Sequence, residues 1–379
     1  MQSFNRRKTA LSTQYFMPTQ VFAGKNCLIE NAAEFAKLGS KALIVTGAHS
    51  AKVCGALEDV TAALSRIGCS YTIYNQVPQN PTIACVFSGV EKAKEISADY
   101  IIAIGGGSPM DAGKAIALLA KNPQLTAETL FSGPYPGGAL PIAAVPTTAG
   151  TGSEVTKASI LTNDAAQTKS SIANPLIFPQ IAFLDGRYTE KLPLVTTVNT
   201  AIDALTHAAE GMLSCKAGMM TDYLAKEALG RIAACFPAMQ SGDISPMQRS
   251  SLLAASTLAG IVIANTGTTA VHAMGYSLTY FKHIAHGRAN GLIFPAFLKF
   301  MYTKVPNRVQ DILVDLGCET VEQLTDIFTE LLGRPEPLTL PEAEQFASIA
   351  IQSGNIKNCL IKPSQADLLN IYKASFSLE

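Results

Sequence analysis

The sequence predicts two domains of different class: an α/β domain built on a parallel, doubly wound sheet, then an all-helical domain. Three observations carry this. Short apolar runs bounded by turn residues fill the first half of the chain, the pattern of strands buried on both faces. Helical patterns lie between several of them, which is the alternation of an α/β fold. From Pro193 onward no convincing strand occurs, and long Ala- and Leu-rich helical segments take over.

In chain order, strands are expected at KALIVTG (41–47), SYTIYNQ (70–76), DYIIAIGGG (99–107), LPIAAVPTT (140–148) and QIAFLD (180–185). Helices are expected between them at 53–68 and 85–98. The polar GRYTEKLP, ending in Pro193, sets a boundary near 186–192, giving domains 1–188 and 189–379. Helices follow at 195–213, 218–237, 246–264, 287–302, 320–333, 341–353 and 364–375.

Composition narrows the function classes. At 48% hydrophobic and 15% charged residues, the chain favours large packed cores over disorder. Lys plus Arg (29) balances Asp plus Glu (29), so there is no electrostatic case for nucleic acid or an anionic membrane. No uninterrupted apolar segment reaches about 18 residues, so no transmembrane helix is expected. The cluster Arg6, Arg7, Lys8 lacks a following apolar run and reads as a solvated tail. No two of the eight cysteines show C-x-x-C spacing, which reads as buried, reduced thiols in a cytoplasmic protein.

Two glycine-rich elements follow two strands. In IIAIGGGSPMDAGKAI (101–116), Ser108 suits a helix N-cap, Pro109 the first helical position and Asp111 the position that reaches back. Glycines there let a ligand approach the backbone, and the first N–H groups can hold a pyrophosphate. A tight strand–helix turn is the plain alternative. PTTAGTGSEVTKASILT (146–162) packs small hydroxyl residues around Gly150 and Gly152, suiting phosphate, ribose or amide contacts, or else a polar hinge. Each raises the other's weight, because open sheets bind ligands at strand carboxyl ends.

Three of the five histidines crowd into VHAMGYSLTYFKHIAHG (271–287). Upstream, Asp203 and His207 are four apart in a helical segment, hence on one face. A simple helix hydrogen bond is the plain reading of that pair alone. Three histidines plus one aspartate make a four-ligand set for Fe²⁺ or Zn²⁺. His272 and His286 are favoured over His283, although composition alone does not choose.

These motifs together resemble the iron-containing (group III) alcohol dehydrogenases. The matches are ordered and run nearly end to end: YFMPTQVFAGKNCL, VPQNPT, GGGSPMDAGKAIA, PTTAGTGSEVT, NTAIDALTHAAEG, VHAMGYSL and AHGRANGLIFP. The resemblance implies the dehydroquinate synthase-like fold, a Rossmann-like dinucleotide-binding domain followed by a helical one, with the active site between them. It implies Asp203, His207, His272 and His286 as metal ligands and His283 as a bystander. It implies cofactor contacts at Gly105, Gly106, Gly107, Ser108, Asn80, Thr147, Thr148, Thr151 and Lys169, and a homodimer. Two positions depart from the family pattern. Many members carry an aspartate that suits the adenosine ribose 2′-hydroxyl where this chain has Gly47, which favours NADP(H) over NAD(H), with Ser50 and Lys52 as helpers. Many carry a second histidine, implicated in proton relay, where this chain has Tyr276.

The implied chemistry is reversible hydride transfer between NAD(P)(H) and a small alcohol or aldehyde. Rivals on the same scaffold are a non-redox lyase and a polyol-phosphate dehydrogenase. The latter should need extra Lys and Arg near the ligands, and only Lys282 and Arg288 flank them. A cofactor-free metallohydrolase would leave both glycine-rich elements unexplained. A catalytically dead metal-binding subunit would have no reason to keep all four ligands.

Overall fold

The computed structural model of the chain describes residues 14–166 and 168–378. The Arg6–Lys8 tail lies outside the described residues. The N-terminal half contains β1 (Gln20–Ala23), β2 (Lys41–Thr46), β3 (Ser70–Tyr74), β4 (Tyr100–Gly105), β5 (Ile142–Pro146), β6 (Ala158–Asn163), β7 (Thr168–Ala173) and β8 (Ile181–Leu184). Six of them form one sheet in the order β1-β8-β5-β4-β2-β3, with every pair parallel. The helices of this half are α1 (Cys27–Glu30), α2 (Ser50–Val53), α3 (Ala56–Arg66), α4 (Ile83–Glu95) and α5 (Gly107–Ala120).

Period-two alternation sorts the strand side chains to two faces. Ala42 and Ile44 of β2, with Ile102 and Ile104 of β4, pack on the α3 side. Leu43 and Val45 of β2, with Ile101 of β4, pack under α4 and α5. Both faces are covered, so every residue of β4 and β5 is buried. This is why these strands read as unbroken apolar runs.

All five expected strands are present. Three others escaped the pattern. β1 is only four residues long. β6 and β7 form an antiparallel hairpin of Ser, Thr and Lys-rich strands, so ASILT reads as a polar loop in sequence. The hairpin's inward side chains, Leu161 and Ile172, are fully buried.

The second half is helical: α6 (Leu194–Met212), α7 (Met219–Ala233), α8 (Phe236–Ser241), α9 (Pro246–Thr266), α10 (Ala270–Lys282), α11 (His286–Tyr302), α12 (Pro306–Asp315), α13 (Val321–Leu332), α14 (Leu340–Ala350) and α15 (Gln365–Phe376). The expected helix 218–237 is in fact two, because Pro237 opens α8 within its first turn. Helix α9 is long and apolar enough to cross a membrane by length and composition. It packs instead against α6 and α7 within the helical core.

The halves are clasped together. Gly152, at φ +58°, meets Gly260 of α9 so closely that a Cβ on it would sit 2.5 Å from the Gly260 Cα. Beside this contact the Thr257 hydroxyl of α9 donates to the buried Glu154 carboxylate at 2.6 Å. The linker after β8 is not the solvated segment its composition suggests. Tyr188 is buried and donates to Asp59, while Arg249 of α9 binds the carbonyls of Thr189 and Leu192.

The eight cysteines are all unpaired. Five are buried; Cys215 is exposed, and Cys54 and Cys85 are half-buried.

Candidate active site

The site is a cleft of about 1110 Å³ between the carboxyl ends of the strands and the helical half. β2 has β3 on one side and β4 on the other, so the chain reverses its direction across the sheet there. Ligands of open α/β sheets bind at such a switch point. Gly47 after β2 and the turn after β4 both line the cleft.

On the sheet side, α5 begins at Gly107 with Gly106 at its N-cap. The expected cap geometry is corrected here. Ser108 lies inside the first turn, and its hydroxyl accepts from the Asn80 backbone N–H at 3.2 Å. Asp111 does not reach back; it accepts from the Ser153 hydroxyl at 2.9 Å, and burial pushes its carboxyl up to about 6. No side chain caps α5, so its N-terminal dipole faces the cleft unopposed. The glycines also serve packing between the two loops. A Cβ on Gly106 would meet the Thr148 hydroxyl at 2.8 Å, and one on Gly107 would meet the Thr151 methyl at 2.9 Å.

Thr148 and Thr151 line the cleft, whereas Thr147 and Gly105 are set behind it. Thr147 is buried because its N–H still donates to the Gly105 carbonyl at 2.9 Å, continuing the β4–β5 ladder. Gly105, at φ +149°, makes the turn against Pro109. Lys169 on β7 donates to the Asn80 side-chain oxygen at 2.8 Å, and both line the cleft. Asn80 itself adopts φ +58°, which asparagine tolerates better than most residues. Ser50 lines the cleft; Lys52 is exposed on α2 and is not among the lining residues.

On the helical side, Asp203 and His207 lie one turn apart on α6, His272 in the first turn of α10, and His286 opens α11. The donor atoms of Asp203, His207 and His272 lie within 4.8 Å of one another. His272 Nε2 is 3.6 Å and His286 Nε2 is 3.8 Å from Asp203 Oδ1. Adjacent donors on a tetrahedral ion, with ligand bonds of about 2.1 Å, are about 3.4 Å apart. Asp203, His207 and His272 therefore fit a divalent cation with inward shifts, and His286 stands at the edge of this group, beside Asp203. His283, at the C-cap of α10, is exposed and stands outside it.

Partners on the far side of two rings select the tautomer. His207 Nδ1 faces the Gly150 carbonyl at 3.3 Å, and a carbonyl only accepts, so this nitrogen carries the proton and Nε2 keeps its lone pair. His272 Nδ1 donates in the same way to the buried Glu210 carboxylate. Glu210 Oε1 also accepts from the N–H groups of Thr269 and Val271 at 2.8 and 3.0 Å. A carboxylate behind a ligating imidazole fixes its orientation and raises its basicity.

Two of the three imidazoles stand neutral. Burial pushes His207 down to about 4 and His286 to about 3, leaving both neutral and able to ligate. Burial opposes charge on His272 too, but Glu210 and Asp203 outweigh it and hold that imidazole up at about 9, so it must release its Nε2 proton to ligate. Asp203 is buried, yet the imidazoles of His207, His286 and His272 keep its carboxyl far below the usual range. The Asn290 amide nitrogen lies 2.9 Å from Asp203 Oδ1, 3.1 Å from His272 Nε2 and 3.3 Å from His286 Nε2. Asp203 Oδ1 and His286 Nε2 can accept from this NH₂ group, while His272 Nε2 only faces it so long as that ring holds both protons.

Glu210 and Asn290 were absent from the sequence-based set. Glu210 follows Asp203 and His207 at i+7 and i+3, and Asn290 follows His286 at i+4, so helical periodicity puts each on its ligand face. Tyr276, one turn after His272, stacks on the His286 ring at 5.6 Å between centroids. Burial raises its hydroxyl further above the ordinary phenol range, so it keeps its proton at neutral pH.

Comparison with known proteins agrees with this layout. Residues 18–186 match the iron-containing alcohol dehydrogenase family, and residues 197–376 match the C-terminal part of the Fe-containing alcohol dehydrogenase family. Lactaldehyde reductase of Escherichia coli is 34% identical over 279 residues, covering 73% of this chain and 72% of that protein. NADPH-dependent butanol dehydrogenase of Clostridium saccharobutylicum is 30% identical over 342 residues, covering 87% and 86%. The solved iron-containing alcohol dehydrogenase of Thermotoga maritima superposes with a TM-score of 0.90 at 36% identity, over 97% of this chain and all of that one. The chain belongs to the iron-containing alcohol dehydrogenase family.

Proposed function

We infer that the chain catalyses RCH₂OH + NAD(P)⁺ ⇌ RCHO + NAD(P)H + H⁺ for a small alcohol, with Asp203, His207, His272 and His286 as ligands of one divalent ion. What supports this is the grouping of Asp203, His207 and His272, with His286 beside Asp203, on a cleft whose opposite wall is the uncapped N-terminus of α5. Bound there, Fe²⁺ (or Zn²⁺) supplies Lewis-acid stabilisation of negative charge on the substrate oxygen. The domain division behind this reading is 1–188 and 189–379.

The chain's own residues do the rest. Gly106, Gly107 and Ser108 offer backbone to the cofactor pyrophosphate, while Asn80, Thr148, Thr151 and Lys169 contact its remaining length. Together they orient the nicotinamide against the metal wall, and orientation is what the protein contributes to a hydride transfer. Tyr276, protonated beside His286, is the group we assign to hold or pass the alcohol proton. The lack of a carboxylate at Gly47 supports NADP(H) over NAD(H), since an aspartate there would repel a 2′-phosphate. The reading extends to a homodimer, by family resemblance, and to a reducing cytoplasmic setting, supported by eight unpaired cysteines.

The test is a panel of short aldehydes with NADPH and NADH in parallel, on metal-stripped protein refilled with Fe²⁺ or Zn²⁺. Oxidation of the reduced cofactor should appear only after refilling and be faster with NADPH. No oxidation with any aldehyde in either refilled sample would overturn the reading.

A further inference from the structure

The two cations that flank the ligands in sequence are already neutralised. Lys282 pairs with Glu342 at 2.8 Å and Arg288 with Glu336 at 2.7 Å. Three other lysines line the cleft, Lys157 and Lys169 on the sheet side and Lys216 on the helical side. Lys216, exposed in the turn between α6 and α7, lines it and donates to the Asn358 side-chain oxygen at 2.8 Å. Among the described residues no carboxylate lies within 4.0 Å of its ammonium group. The acidic residues that line the cleft, Asp111 and Asp203, are engaged by Ser153 and by the imidazole cluster.

The surface around Lys216 is polar and braced. The Asn358 amide donates to the Thr268 carbonyl at 3.0 Å, and the Asn355 amide donates to the Thr268 hydroxyl at 2.9 Å. All of these residues, with Tyr276, line the same cleft as the ligands. The helical wall thus runs from the imidazole cluster through Tyr276 to a patch of two amides, a hydroxyl and an unneutralised ammonium. An alkyl tail laid on that patch would desolvate polar groups and satisfy none of them. A tail ending in an anion would accept from the ammonium and amide N–H groups together.

We propose that the Lys216–Asn358–Asn355 patch is a substrate subsite for an anionic group, making the preferred substrate a short aldehyde or alcohol with a carboxylate at its far end. This rests on the dehydrogenase reading above and names its substrate class. Lys216 acts there as a specificity residue through the ammonium–carboxylate contact.

The test compares butanal with 4-oxobutanoate, equal in chain length and different in charge, using metal-loaded full-length enzyme and saturating NADPH. The expected ratio of kcat/KM, 4-oxobutanoate over butanal, exceeds one in the unmodified protein. It falls by about 2–5-fold in Lys216→Met, mainly through KM, and is largely restored in Lys216→Arg. Calorimetric titration with 4-hydroxybutanoate, which needs no turnover, should show the same loss of affinity. Glycolaldehyde phosphate as a third aldehyde distinguishes a carboxylate site from a phosphate site, and preference for it overturns the carboxylate assignment. A ratio below one, or a ratio that Lys216→Met leaves unchanged, overturns the subsite while butanal turnover keeps the dehydrogenase reading intact. Failure of both aldehydes overturns the reading itself and the subsite with it.

Discussion

The two walls of the cleft are built from different materials. The helical wall is made of side chains: Asp203 and the imidazoles, each ring of His207 and His272 aimed by a hydrogen bond from behind. The sheet wall is made largely of backbone: an uncapped helix N-terminus, with glycines fitted closely against the threonines of the next loop. A side-chain wall is preorganised by partners that can be removed one at a time. A backbone wall has no single partner to lose, so it tolerates most substitutions except those that add bulk or charge.

That contrast predicts a graded series. The largest effect is expected for Asp203→Ala, which removes the only carboxylate among the four donors. Metal content measured by elemental analysis should fall, and kcat/KM should drop by about 10³-fold or more. A variant that retained a full metal complement and activity within tenfold would show that the helical wall is not assembled around this residue. Next is Glu210→Gln, which keeps the shape of the side chain but removes the charge behind His272. Chelator competition should show metal binding weakened by about 10–100-fold, with an unchanged circular dichroism spectrum. Equal affinity would mean that His272 is held by packing alone.

On the sheet wall the informative change adds charge. Gly47→Asp has room, since a Cβ there lies 3.5 Å from the Val77 carbonyl, in ordinary contact. The ratio of kcat/KM with NADPH to that with NADH should fall by about 10–100-fold. An unchanged ratio would remove Gly47 from the choice of cofactor. The smallest effect belongs to His283→Ala. His283 is exposed at the end of α10, outside the donor cluster, and both metal content and kcat should stay within about twofold.

The same contrast explains what could be read in advance. Apolar runs such as those of β4 and β5 announce themselves, because burial on both faces demands them. That Asp203 and His207 share one helix face is legible from their spacing. Bringing it to His272 and His286 required the family resemblance, because no local pattern encodes how α6, α10 and α11 meet. Glu210 and Asn290 obey the same spacing, yet a glutamate or asparagine in a helix is ordinary until its burial is known. The glycines of 105–107 were read as space for a ligand; only the packed structure shows Pro109, Thr148 and Thr151 occupying much of that space. The β6–β7 hairpin is hidden because each strand buries a single apolar side chain, Leu161 and Ile172, among Ser, Thr, Asn and Lys, with the buried Ser159 breaking the alternation.

The meeting of Gly152 with Gly260 constrains how the protein can breathe. Main chain rests on main chain there, with no side chain between to bend or re-orient. Pulling the pair apart would strip Glu154 of its bond from Thr257 and leave a carboxylate stranded in the interior. The spacing of the two cleft walls is set at this point by main chain alone, so any residue larger than glycine at either position would force the halves apart.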